Sequence, residues 1–269
     1  MTNNRETSSR DFAASRRERN GITMPVWSYK IGRVEGIDLY LHPTFLLLLA
    51  YTFAFNGGLS ATVLTAAIFG CVLLHELGHA LMARRYGIRT EDITLYPIGG
   101  VARLERMPRS AGPELLIALA GPAVNFVIAG GLYLGLQLAG SSAAMIGGSF
   151  LVKLLWINLG LALFNLLPVF PMDGGRVFRA LLTGPFGRLR ATVIAATVGQ
   201  VIAVTAGVLF LLNGEMMAAV LAAFIYFVAG NELRSVRVEE ARRNMAAGRH
   251  FDAPSSWISV GQPGRQDGY

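Results

Sequence analysis

Charge is scarce in this chain, and cysteine is almost absent. Only 15% of the 269 residues are charged, against roughly 25% in an average soluble domain. The lone cysteine, Cys71, excludes an internal disulfide and implies no oxidising compartment. Residues 1–24 lack the apolar core of a signal peptide; they are polar and Arg-rich and read as a disordered cytoplasmic arm. No internal repeat is visible. What the chain has in plenty is apolar side chains, 53% of the total. They fall in long uncharged runs, which marks a polytopic membrane protein.

Six apolar segments are expected to cross the bilayer, at about 42–56, 59–83, 113–139, 149–168, 190–212 and 216–231. The first is short for a span and reads as tilted or partly sunken. A net charge of +7 can signal nucleic acid, but its distribution here argues for topology. Of the 24 basic residues, all but Lys153 fall before the first segment, between Arg84 and Arg109, between Arg176 and Arg190, or after the last segment. Basic loops stay in the cytoplasm, so a multi-pass cell-membrane protein with both termini cytoplasmic follows, and no nucleic-acid partner.

Two stretches carry a strand pattern. Trp27 to Leu41 alternates in part and reads as one or two strands. Ile93–Tyr96 and Val101–Leu104 read as a hairpin turning at Pro97-Ile98-Gly99-Gly100. Unpaired strands cannot face lipid, so these residues predict a small sheet at the cytoplasmic face. The fold class is therefore a mainly α membrane protein, a six-helix core with a small β-sheet. The layout is an arm over 1–24, a core over 25–231 and a cytoplasmic tail over 232–269, with a surface helix over 232–247.

The chemistry is concentrated in His75-Glu76-Leu77-Gly78-His79, near the end of the second apolar run and just before Arg84-Arg85. Residues i and i+4 share a helix face, so His75 and His79 can hold one metal ion, with Glu76 beside them as a base. Ionisable groups are costly in hydrocarbon and rarely sit there without a use. At about 1.5 Å per residue, the pair lies roughly 7–14 Å inside the cytoplasmic boundary marked by Arg84, so the site needs a polar cavity open to the cytoplasm. A zinc hydrolase usually supplies three ligands and leaves a fourth position open. The candidates for the third at membrane depth are His42, Lys153 and Asp173, with Arg176 at the boundary. Asp173 is the best of them. It lies in the region where Asn165-Leu-Leu-Pro-Val-Phe-Pro-Met-Asp-Gly-Gly175 breaks the fourth apolar segment. A short helix is expected after it, over 174–182.

These residues resemble the site-2 protease family of intramembrane zinc metalloproteases. The resemblance rests on His75–His79, on Asn165 followed eight residues later by Asp173-Gly174, and on the neighbouring Leu166–Met172 and Gly175-Arg176. Ile98-Gly99-Gly100-Val101-Ala102 and Gly121-Pro122-Ala123-Val124-Asn125-Phe126 add to it. It covers about residues 30–230 and matches the short prokaryotic branch, without CBS or PDZ domains. It implies one Zn²⁺ per chain held by His75, His79 and Asp173, with Glu76 as general base. Asn165 then binds substrate or the oxyanion, and the substrates are transmembrane segments of membrane-anchored proteins in the lipid bilayer.

Plainer roles stand beside these. Asp173 can serve as a helix cap, and Asn165 or Asn125 as an interhelical hydrogen bond; for Asn125 such packing is the expected role. His42 reads as an interfacial residue and Cys71 as a small core residue. The arginines read as topology signals. A metal-ion transporter is the competing function, but the third, fifth and sixth segments hold few polar groups beyond Asn125, Gln137 and Gln200, which suits a pocket better than a conduit. An inactive relative that retains membrane clients is the third reading, and the intact Glu76 argues against it.

Overall fold

A computed structural model describes residues 27–105, 108, 110–139 and 149–246. The expected N-terminal arm and most of the region beyond the last helix lie outside the described residues. The elements are β1 (Tyr29–Val34), β2 (Ile37–Leu41), α1 (Pro43–Phe55), α2 (Gly58–Arg85), β3 (Thr90–Tyr96), β4 (Gly99–Leu104), α3 (Ala111–Leu138), α4 (Phe150–Asn165), α5 (Asp173–Phe186), α6 (Arg188–Leu212) and α7 (Met216–Ala246).

The protein is mainly helical with one small sheet, as its sequence predicts. Four described helices, α2, α3, α6 and α7, are long and apolar enough to span a bilayer. The other two apolar segments form α1 and α4, with 13 and 16 residues. At about 1.5 Å per residue these reach only about 20 and 24 Å, short of roughly 30 Å of hydrocarbon. α7 also continues without a break through residues 232–246, where a separate surface helix was expected. The expected helix over 174–182 is real and longer, as α5.

The chain divides into two compact units. The first comprises residues 1–107 and 123–159. Its sheet has the order β1-β2-β3-β4. β1–β2 and β3–β4 are antiparallel hairpins, and β2 pairs β3 in parallel, with Leu39 opposite Ile93. The parallel pairing follows from connectivity: the helical hairpin α1–α2 joins β2 to β3, and parallel strands require such a crossover. α2 packs on this sheet through Leu73, Leu77 and Ala80, which meet Ile37, Leu39, Ile93 and Ala102. Those helix positions recur at three- and four-residue intervals and form one stripe. His75 and His79 are offset from it and face elsewhere. Arg84 ties the end of α2 to the β1–β2 turn, with Nη1 2.8 Å from both the carbonyl oxygen and Oε2 of Glu35. Across β3–β4, Arg103 holds the buried Asp92 in a two-point bond at 2.6 and 3.1 Å.

The second unit comprises residues 108–122 and 160–269. Here α6 packs on α7 and on α5. Phe170, Ala195, Ala196 and Ala229 form its buried core, flanked by Phe178 and Leu233. The start of α5 is pressed onto the preceding loop. A Cβ at Gly174 would collide with the carbonyl oxygens of Leu166 and Leu167, and one at Gly175 would stand 2.7 Å from the Phe170 nitrogen. Only glycine permits that approach.

One ion cluster anchors α5. Arg179 is 1% exposed. Its Nε donates to Glu114 Oε1 at 2.8 Å, and its Nη1 and Nη2 donate to Glu232 and Glu114 in shorter bonds. Its guanidinium also stands over the Phe170 ring, 5.1 Å from the centroid. Burial pulls its pKa down, but the two carboxylates outweigh burial and the net direction is upward. Arg179 is thus more than a marker of topology.

Candidate active site

In the first unit α2 brings the two histidines together, as the i, i+4 spacing requires. Both are buried. Their Nε2 atoms are 3.1 Å apart and their rings meet edge-on with centroids at 4.7 Å. Two nitrogens bound to one tetrahedral zinc at about 2.0–2.1 Å would stand about 3.3 Å apart. The pair therefore fits a shared ion with little adjustment, and imidazole nitrogen suits zinc.

Glu76 lies next to His75 on α2 and under β4. A Cβ at Gly100 would stand 2.6 Å from Glu76 Cγ, so glycine at this strand position makes room for the carboxylate side chain. Both strands of the β3–β4 hairpin pack on α2.

His75 has a further partner that its sequence did not disclose. Its Nδ1 is 3.1 Å from Oδ1 of Asn125 on α3. Asn125 was expected to form an interhelical hydrogen bond, and it does so from α3 to the first histidine on α2. The only hint in the sequence was Gly121–Phe126, which resembles a family segment but does not say what the amide touches. Asn158 on α4 makes a second interhelical contact of this kind. It donates to Leu154 O at 2.8 Å and to Cys71 Sγ at 3.3 Å, which leaves Cys71 a buried core residue. His42 caps α1, its Nδ1 accepting from the Thr44 amide at 3.3 Å, and its ring stacks on Tyr96.

In the second unit Asp173 is the first residue of α5 and is buried. Its Oδ1 is 3.9 Å from Arg176 Nη1. It opens a helix without being its cap, since Met172 holds the N-cap position. Asn165 is the last residue of α4, and its Nδ2 donates to Leu161 O at 3.0 Å. One of its two amide hydrogens is thus used to close its own helix.

Residues 63–146 and 136–209 match the model of peptidase family M50. The chain belongs to peptidase family M50. It is 38% identical over 224 residues to a zinc metalloprotease of Methanocaldococcus jannaschii, covering 82% of this chain and 65% of that protein. It is 27% identical over 195 residues to stage IV sporulation protein FB of Bacillus subtilis, covering 70% of this chain and 64% of that protein. The chain thus spans just under two thirds of these relatives' own length. Among solved structures it is similar to the site-2 protease of Methanocaldococcus jannaschii, with a TM-score of 0.57 and 37% identity, covering 77% of this chain and 95% of that one. This family member is a membrane protein with the site-2 protease fold.

Proposed function

We propose that this M50 family member is an intramembrane zinc endopeptidase that cleaves transmembrane segments of membrane-anchored proteins. The observation that carries the reading is the buried pair His75 and His79, with Nε2 atoms 3.1 Å apart and Glu76 beside them on α2. Zinc metalloprotease is also what a relative 38% identical is named. In this reading His75, His79 and Asp173 hold the ion. Asp173 is a buried carboxylate at the start of α5 and completes a donor set suited to zinc. When bound, the ion supplies Lewis acidity and brings the pKa of water near 7.

The chain's own residues do the rest. Glu76 accepts the proton of the attacking water and returns it to the leaving amine. Asn165 gives its second amide hydrogen to the substrate carbonyl as the oxyanion forms. The substrate helix has its carbonyls satisfied internally and must unwind before attack, so Gly or Pro near the cleaved bond favours it. In this reading the site takes water from the cytoplasm, the side on which the basic loops lie.

The unwound peptide docks on β4. In this sheet β1 and β4 are the edges, and β4 is the one that packs on α2 at Glu76. Main-chain pairing holds a peptide without demanding one sequence. A cysteine at Val101 on β4 is expected to crosslink to a substrate cysteine near the cleaved bond, and one at Ile31 on β1 is not. Crosslinking from Ile31 alone would move the docking edge to β1.

Metal analysis tests the ligand set. Purified protein is expected to carry about one zinc per chain, the usual content of such a site. His79→Ala and Asp173→Ala are each expected to lose it to a mild chelator that the wild type withstands. Full retention by Asp173→Ala would remove Asp173 from the set.

A further inference from the structure

We propose that Asn125 is a positioning residue for the metal centre: its Oδ1 fixes the tautomer and the ring orientation of His75. This deepens the proposed function, because it rests on His75 being a ligand. Two observations carry it. Asn125 is fully buried and its Oδ1 is 3.1 Å from His75 Nδ1. Its Nδ2 has no hydrogen-bond partner among the described residues. A buried amide that leaves two donors unsatisfied in order to offer its oxygen to one nitrogen is not optimised as packing, since an unpaired buried donor is costly.

The chemistry follows from the ring. A neutral imidazole has one N–H. An amide oxygen only accepts, so the contact places that proton on Nδ1 and leaves the lone pair on Nε2. Nε2 is the atom that faces His79 Nε2. The reverse amide orientation would donate to Nδ1, put the proton on Nε2 and remove His75 as a ligand through that atom. The bond also restrains rotation of the ring about its Cβ–Cγ bond, which keeps Nε2 aimed at the shared site. Loss of such an outer partner typically weakens metal binding by about 10–100-fold.

The test uses the full chain in lipid nanodiscs, with zinc affinity read by competition against a chromogenic chelator. Asn125→Leu is expected to weaken zinc binding by about 10–100-fold. Asn125→Asp keeps an acceptor of the same shape and is expected to bind close to wild type. Asn158→Leu removes an equally buried amide of the same unit and serves as the control for lost packing; it too is expected to stay close to wild type. In zinc-free protein with ¹⁵N-labelled histidine, His75 is expected to be protonated at Nδ1 in the wild type and in Asn125→Asp. It should populate the Nε2 tautomer in Asn125→Leu, or in Asn125→Ala if the leucine variant does not fold. Wild-type affinity with an unchanged tautomer in these variants overturns the proposal alone, provided His75→Ala loses zinc. Zinc affinity unchanged in His75→Ala overturns the ligand assignment and this proposal with it.

Discussion

Glu76→Gln is expected to abolish detectable cleavage of a co-expressed, tagged transmembrane substrate while the protein keeps its zinc. A positioned base contributes about 10²–10⁴-fold, and an amide accepts no proton from water at neutral pH. The substitution preserves shape, so the close fit of the side chain beneath Gly100 is retained. Glu76 is also outside the proposed ligand set, so zinc content should match the wild type. Cleavage and metal content measured on the same preparations separate the two roles. Substantial turnover by Glu76→Gln would falsify the general-base assignment. Loss of zinc together with activity would instead make Glu76 part of the metal site.

Arg179→Met is expected to be the most destabilising of the single changes considered. It strands Glu114, itself 1% exposed, whose other cation among the described residues is Arg188 at 3.9 Å. Breaking one side of a buried ion pair costs about 3–5 kcal/mol. The methionine also forfeits the contact with Phe170. Thermal unfolding in detergent should show a large drop in midpoint. The double variant Arg179→Met with Glu114→Leu should regain much of it, because removing both charges removes the stranded carboxylate. If the single and double variants unfold alike, the cluster contributes packing and not charge pairing. Since α5 begins at Asp173, a ligand in the proposed set, zinc retention is expected to fall alongside stability in the single variant.

Much of this protein was legible in its sequence because the relevant rules are local. The spacing of His75 and His79 needs only the helical repeat to place both on one face, and apolar run length needs only the bilayer. The hairpin at Pro97–Gly100 announces itself through turn residues, and β3–β4 forms there with wider bounds. Run length is least decisive at 42–56, which already reads as short for a span, and at 149–168. α1 fills nearly all of its segment with 13 residues, whereas past the 16 residues of α4 apolar Leu166, Leu167 and Val169 continue outside the helix. Pro168 and Pro171 lie beyond α4, where proline cannot continue a helix. At the other extreme, α7 runs on past residue 231 because a change from apolar to charged residues alters the solvent of a helix without breaking its hydrogen bonds.

By itself, then, the sequence determined the membrane setting, the helix that carries the two histidines and glutamate together, and the break after Asn165. Each depends on residues within a turn or two of one another. Only the tertiary structure decided which amide meets His75, which strand covers Glu76 and what Arg179 is for. Asn125 is 50 residues from His75, and Glu114 and Glu232 are 65 and 53 from Arg179. Such contacts leave no periodic trace. An asparagine in an apolar helix has the same local pattern whether it binds a neighbouring backbone, as Asn158 does, or a histidine, as Asn125 does. An arginine in a loop between apolar segments counts equally toward topology whether it faces water or two buried carboxylates. Packing alone brings the partner, and with it the chemistry.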